Sequence, residues 1–406
     1  MNIEILAIGD EILDGHTINS NAAVISRKLA SKGYVTNKHT VIPDCQDKII
    51  QEFQEIFVEK TLLICTGGLG PTEDDTTKKA IASFFDVSFE INNEVLTDMK
   101  HRYGDISTLE NQSTVIKDAK MILNPEGTAP GMVHFFDRGC VIFLPGVPNE
   151  LEAMLDQVML YVEKAYPLSS VPFSKEVSLF NVKESDVEPK IKTLNRKELK
   201  VGSYPFLGGV QIRAFSQNEK KLTSYINQIK NIFPNQYFFS DEHKIEQALH
   251  NLLIREKKTV AFAESCSGGA LAAAMTKHPG SSEYFLGSVI SYSNQMKNRI
   301  LGVSKETLDN FGAVSKETVT EMLQGLFEQT TCDYAVAVSG IAGPTGGTKD
   351  KPVGTVYVGV AKRDNPFDIG IIYKKGSRKT IIAYTVNTAL SILYRKIAFN
   401  KDTFNE

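Results

Sequence analysis

At 406 residues, 42% of them apolar and 23% charged, the chain has a globular composition and exceeds what one hydrophobic core serves, so two or three domains are expected. A formal net charge of −3 without a dominant basic run argues against nucleic-acid or anionic-membrane binding as its main role. No apolar run approaches a membrane span, the first residues lack a secretion signal, and five scattered cysteines without CxxC spacing read as reduced core thiols, so a cytoplasmic location is expected.

In chain order, residues 3–8 read as an opening strand, and residues 20–32 have helical apolar spacing that stops at Gly33. Residues 61–65 form the next strand and run into Thr66-Gly67-Gly68-Leu69-Gly70-Pro71-Thr72, with a helix expected over 75–85. A strand at 141–144 is closed by Pro145-Gly146-Val147-Pro148, and a helix follows over 149–165. Such repeated strand–helix units predict a mostly parallel sheet covered by helices on both faces, with ligands at the carboxyl ends of its strands.

From about 170 to 243 the texture changes. Residues 175–181 and 209–215 alternate like antiparallel strands, and helical stretches are expected at 185–194 and 218–232. This small α+β module carries no chemical constellation and reads as a spacer or oligomerisation unit. From 244 onward, helix 245–256 leads to strand 259–263 and the loop Glu264-Ser265-Cys266-Ser267-Gly268-Gly269, which opens helix 270–276. Strands at 289–292, 334–338 and 354–360 and helices at 316–330 and 378–398 complete the chain. The expected architecture is a multidomain α/β protein with domains 1–169, 170–243 and 244–406.

The first domain gathers loops suited to a phosphate. Glycines permit close backbone approach to an anion. Asp74 and Asp75, at the start of a helix beside that loop, have an ordinary use as caps, but adjacent carboxylates also suit a divalent cation bridging to pyrophosphate. Asp10 and Glu11 bring two further carboxylates to the end of the first strand. With GDEIL, TGGLGPTEDDTT, NPEGTAPGM and LPGVPNE in that order, the segment resembles the molybdopterin-binding MoaB/MogA-like fold. The resemblance implies a three-layer αβα domain and maps the family's glycine loop and following D-x-T element onto Gly67, Gly68, Gly70, Asp75 and Thr77. In long two-site chains it further implies metal-dependent hydrolysis of ADP-ribose to AMP and ribose 5-phosphate.

The last domain offers serines, a lysine and a tyrosine. His278, before Pro279-Gly280 in a turn, reads as a surface residue. A serine nucleophile then needs a lysine base whose pKa is lowered by burial or neighbours, and Lys297 is the candidate. Ser282 and Ser265 are alternative nucleophiles, although Ser265 has a second use as a helix cap, and Tyr292 is placed to relay a proton or position the lysine. The elements AESCSGG, PGSSEYF, SYSNQMK, FGAVSKET, SGIAGPTGG and KPVGTVYVG resemble the C-terminal domain of the CinA family. Where that pattern usually has threonine after the cysteine this chain has Ser267, which turns the choice of nucleophile toward Ser265 or Ser282.

The resemblance implies an αβα amidohydrolase-like domain that deamidates nicotinamide mononucleotide without a metal or dissociable cofactor. Gly340, Gly343, Thr345, Gly346 and Gly347 would hold ribose or phosphate, reinforced by Lys351 and Thr355. The whole chain thus reads as a bifunctional pyridine-nucleotide enzyme, with a divalent metal expected in the first domain only. Its expected partners are small nucleotides, with neither membrane nor nucleic acid, and a homodimer is expected. The alternatives are one catalytically silent domain serving as nucleotide sensor or scaffold, and a molybdopterin-binding protein.

Overall fold

The computed structural model describes residues 1–70, 76–104, 109–168, 172–240 and 244–401. The protein is a multidomain α/β chain of two compact units, Met1–Val171 and Pro172–Glu406.

Unit 1 runs β1 (Asn2–Ile8), α1 (Asp10–Leu13), α2 (Ser20–Ser31), β2 (Lys38–Ile42), α3 (Gln46–Ile56), β3 (Thr61–Thr66), α4 (Thr77–Phe85) and β4 (Phe89–Ile91). It continues α5 (Asn93–Tyr103), α6 (Leu109–Gln112), β5 (Thr114–Ile116), β6 (Lys120–Ile122), β7 (Gly131–Phe136), β8 (Gly139–Leu144) and α7 (Pro148–Ala165). The main sheet has the order β2-β1-β3-β8-β7-β6, parallel from β2 to β8 and antiparallel beyond. Strand side chains alternate between faces. Ile3, Ile5, Leu62 and Ile64 therefore pack with residues of α2 and α7, whereas Leu6, Ile8, Leu63 and Cys65 pack with residues of α3 and α4. Burial on both faces explains the unbroken apolar runs of these strands and makes three layers.

Unit 2 begins with β9 (Phe173–Phe180), α8 (Glu184–Lys192), β10 (Lys200–Phe206), β11 (Gly209–Ser216), α9 (Glu219–Ile232) and β12 (Tyr237–Phe238). These strands form an antiparallel sheet, β10-β11-β9-β12, against which α8 and α9 pack. Next come α10 (Ile245–Glu256), β13 (Val260–Glu264), α11 (Ala270–Thr276), β14 (Phe285–Ile290), α12 (Asn294–Leu301), α13 (Lys305–Phe311) and α14 (Lys316–Gln329). The chain closes with β15 (Tyr334–Gly340), β16 (Thr355–Lys362), β17 (Asp368–Tyr373) and α15 (Arg378–Phe399). The second sheet has the order β14-β13-β15-β16-β17, its first three strands parallel and its last two antiparallel.

One face of this sheet presents Val260, Phe262, Val336 and Val358 to α10 and α15; the other presents Ala261, Ala263, Ala335 and Ala337 to α14. Small side chains let α14 approach closely, and a Cβ at Gly359 would lie 2.7 Å from Val319 Cγ1. Phe180 and Phe238 of the first sheet join the core that contains α15, which is why both sheets fall in one compact unit.

Three sequence expectations are corrected. The strand expected at 289–292 is Phe285–Ile290, a half-exposed edge strand whose weak alternation hides its start. His278 is buried, with its ring 5.1 Å from that of His250. Of the five cysteines, Cys45 is exposed; the other four are buried, and all are free thiols.

Candidate functional site

In unit 2 the chemistry gathers where β13 ends. Glu264, the last residue of that strand, is fully buried, and its carboxylate accepts from Ser267 Oγ, Ser288 Oγ and the amides of Gly269, Leu271 and Ala272 at 2.8–3.0 Å. It thereby satisfies otherwise orphaned N–H groups at the start of α11. Gly268 and Gly269 adopt φ of +62° and +100°, which folds the loop back over that carboxylate. Ser265 is thus held on a tight strand-to-helix turn.

The adjacent parallel strand β14 ends beside it, and the Ser291 amide donates to Glu264 O at 2.8 Å. Helix α12 then returns Lys297 to this edge. Its Nζ lies 2.8 Å from Ser265 Oγ and donates to Ser291 O at 2.7 Å. Lys297 is 1% exposed, and burial lowers its pKa from the ordinary 10.5 to about 8, with Cys266 acting the other way. The neighbouring Cys266 thiol is pushed up to about 11, chiefly by burial, so at neutral pH it stays protonated and does not compete as a nucleophile.

Ser282 is not brought to this lysine. It sits exposed in the short 3₁₀ turn Ser281–Glu283 that precedes β14, whereas Lys297 follows that strand. A six-residue strand spans roughly 20 Å, so Ser282 and Lys297 lie at opposite ends of the sheet. Tyr292 is 58% exposed, and its hydroxyl accepts from Arg378 Nη2 at 2.7 Å instead of meeting Lys297. Arg378 Nη1 donates to Gly343 O at 2.9 Å, tying the glycine loop to the start of α15.

That loop, residues 341–354, follows Gly340 at the end of β15, the other parallel neighbour of β13. Gly343 and Gly346 have φ of +73° and +88°. Thr345, Gly346 and Gly347 are exposed, Thr355 is buried, and Lys351 Nζ donates to Phe311 O at 2.9 Å. The loop therefore shares the sheet edge with Ser265. A 770 Å³ cavity bordered by Ala270, Arg378, Ile382 and Val386 opens beside it; neither Ser265 nor Lys297 lines that cavity.

Sequence reasoning missed Glu264 and Arg378. A carboxylate closing an otherwise apolar strand was the available sign for the first. For the second it was a basic pair, Arg378-Lys379, in the first turn of a helix, where the macrodipole disfavours positive charge.

In unit 1 the loop after β3 is tightly built. Gly67 and Gly68 have φ of +104° and +65°; a Cβ on the first would collide with Ile8 O, and one on the second with Thr77 Oγ1. Thr77 is fully buried, and its hydroxyl has no hydrogen-bond partner among the described residues, while Asp44 Oδ1 accepts from Thr76 N and Oγ1. Gly70 is half-buried. Asp10 and Glu11 are exposed on α1, directly after β1. The expected metal ligands Asp74 and Asp75 lie outside the described residues, and among the described residues no group of three His, Cys, Asp or Glu is placed to hold a metal. The later loop is latched by Asn124, whose Oδ1 accepts from the Glu126 and Gly127 amides and whose Nδ2 donates to Ala129 O and Glu150 Oε2.

Residues 242–397 match the family described as "CinA C-terminal domain", and residues 4–164 match the "Probable molybdopterin binding domain". A CinA-like protein of Endomicrobium trichonymphae is 37% identical over 98% of this chain and 99% of its own length. Another, from Thermosipho melanesiensis, is 36% identical over 96% of this chain and 98% of its own. Among solved structures, a competence/damage-inducible protein of Agrobacterium tumefaciens is 38% identical, with a TM-score of 0.36, covering 40% of this chain and 98% of that one. No helix among the described residues is long and apolar enough to cross a membrane.

Proposed function

The chain belongs to the CinA family, and on that footing we propose that unit 2 is an amidohydrolase that converts nicotinamide mononucleotide to nicotinate mononucleotide and ammonia. The observation that carries this reading is the buried Ser265–Lys297 pair, 2.8 Å apart. A primary amide needs a nucleophile, a base that can later act as an acid, and donors for an oxyanion. Neutral Lys297 takes the Ser265 hydroxyl proton as Oγ attacks the amide carbon. The Cys266 and Ser267 amides, engaged by no backbone carbonyl among the described residues, are the donors nearest in chain for the oxyanion. Lys297 returns the proton to the departing nitrogen, ammonia leaves, and water hydrolyses the serine ester, with Lys297 again shuttling the proton. Arg378 and the exposed part of loop 341–354 supply contacts for the ribose phosphate. Stoichiometric ammonia and nicotinate mononucleotide from the purified full chain test this reading; no turnover by folded protein overturns it.

For unit 1 we propose hydrolysis of ADP-ribose to AMP and ribose 5-phosphate. The left-handed Gly67-Gly68 turn over the buried Thr77 hydroxyl supports a pyrophosphate cradle. A divalent cation, when bound, would neutralise phosphate charge and supply an activated water. Asp10, Asp74 and Asp75 are the carboxylates in chain position to hold it, whereas Glu11 turns its carboxylate back over Gly9. AMP formation abolished by a chelator and restored by a divalent cation supports the assignment. Binding without turnover at any cation concentration overturns it in favour of a nucleotide-sensing role.

A further inference from the structure

We infer that Asn21 and Glu11 in unit 1 form a pocket that recognises a ribose hydroxyl beside the glycine loop, an assignment that rests on reading unit 1 as a site for a ribose-bearing nucleotide. Asn21 stands in the first turn of α2 and is 8% exposed. Its Nδ2 donates to Gly146 O at 2.8 Å and to Thr66 Oγ1 at 3.0 Å. The carbonyl can only accept, and the Thr66 hydroxyl gives its own proton to Pro145 O at 2.8 Å. Both partners therefore require the amide nitrogen, which fixes the orientation of the side chain. Among the described residues Asn21 Oδ1 is left buried without a donor. A buried acceptor with no donor is costly, and in a pocket wall it marks where a ligand donor belongs.

The pocket is of the right size and chemistry. It is a cavity of about 30 Å³, bordered by Glu11, Thr17, Asn21, Thr66 and Gly146, with room for one hydroxyl-sized group. Glu11 is the one charged residue in this wall among the described residues. A phosphate oxygen entering here would meet a carboxylate and an amide oxygen, both repulsive. A hydroxyl donates to either. A carboxylate at the end of a strand reading ribose hydroxyls is the same chemistry that dinucleotide-binding sheets use. Thr66 opens the glycine loop, so a nucleotide that places a sugar hydroxyl in this pocket has its phosphates directed to the Gly67-Gly68 turn.

The test is calorimetric binding to the metal-free full chain, using AMP, ribose 5-phosphate, 2′-deoxy-AMP, 3′-deoxy-AMP and 2-deoxyribose 5-phosphate. The wild type loses about tenfold in affinity when the recognised hydroxyl is removed. Asn21→Ala and Glu11→Gln weaken binding of the hydroxyl-bearing ligands and discriminate by less than about twofold. Glu11 is exposed, so its variant keeps the comparison interpretable if the Asn21 variant melts early. Equal wild-type affinity for parent and deoxy ligands overturns the inference and assigns the pocket to a structural water. Full discrimination retained in both variants also overturns it. If the wild type binds neither these ligands nor ADP-ribose, the nucleotide reading of unit 1 falls as well.

Discussion

Lys297 carries the account at the scale of single residues. Its ammonium is buried against two neutral oxygens, with Nζ hydrogen-bonded to Ser265 Oγ and Ser291 O. With the pKa lowered to about 8, kcat/KM for amide hydrolysis should rise with pH along a limb centred there and level off above it. A profile already flat from pH 6 would contradict a lysine base. The same shift has a stability consequence. The folded state holds this proton less tightly than the unfolded chain, whose lysine keeps its ordinary value of 10.5. The penalty is therefore complete below about pH 8 and fades as pH rises toward 10.5. Lys297→Met should stabilise the protein at pH 7 by on the order of 1–3 kcal/mol, with the gain shrinking between about pH 8 and 10.5 and mostly lost by about pH 10. Denaturant melts at the two pH values measure it, and a gain unchanged by pH would contradict the linkage.

At the scale of elements, Glu264 decides how the turn after β13 is shaped. Its two oxygens accept from five donors, three of them amides of the loop and of α11. Glu264→Gln sets an NH₂ group against these donors and should destabilise unit 2 by about 3 kcal/mol. It should also lower kcat by about 100-fold, because Ser265 loses its support. Full activity in that variant would show that the turn holds itself. Much of this element was legible in the sequence: α10 and α11 fall where the apolar spacing and glycines put them, and the Ser265 loop lies between a buried strand and a helix. The pairing of Lys297 with Ser265 over Ser282 was not legible. It depends on the direction of β14, an edge strand whose limits were misread, and strand direction is a tertiary property. Asn21 was equally hidden, since an orphaned acceptor exists only once its surroundings are packed.

At the scale of the molecule, the chain is divided between two compact units, and the small α+β module is structurally part of the second. Phe238 is fully buried in the core that β12 shares with α15, with its ring 6.2 Å from that of Tyr394. Phe238→Ala should therefore cost about 3–5 kcal/mol and lower the melting transition of unit 2, although the residue lies in the module without catalytic groups. A melt in which only the module's own strands are lost would contradict a shared core. The three-layer organisation of unit 1 was readable because its central strands are apolar throughout, whereas its antiparallel β6 and β7 carry no signal of direction.

The measurement that bears most directly on the central claim is ammonia release from nicotinamide mononucleotide by wild type, Lys297→Ala, Ser265→Ala and Ser282→Ala, each shown to be folded. Losses of about 10³-fold or more are expected for the Lys297 and Ser265 variants, with near-wild-type turnover for Ser282→Ala. Turnover surviving in Ser265→Ala and abolished in Ser282→Ala would contradict it.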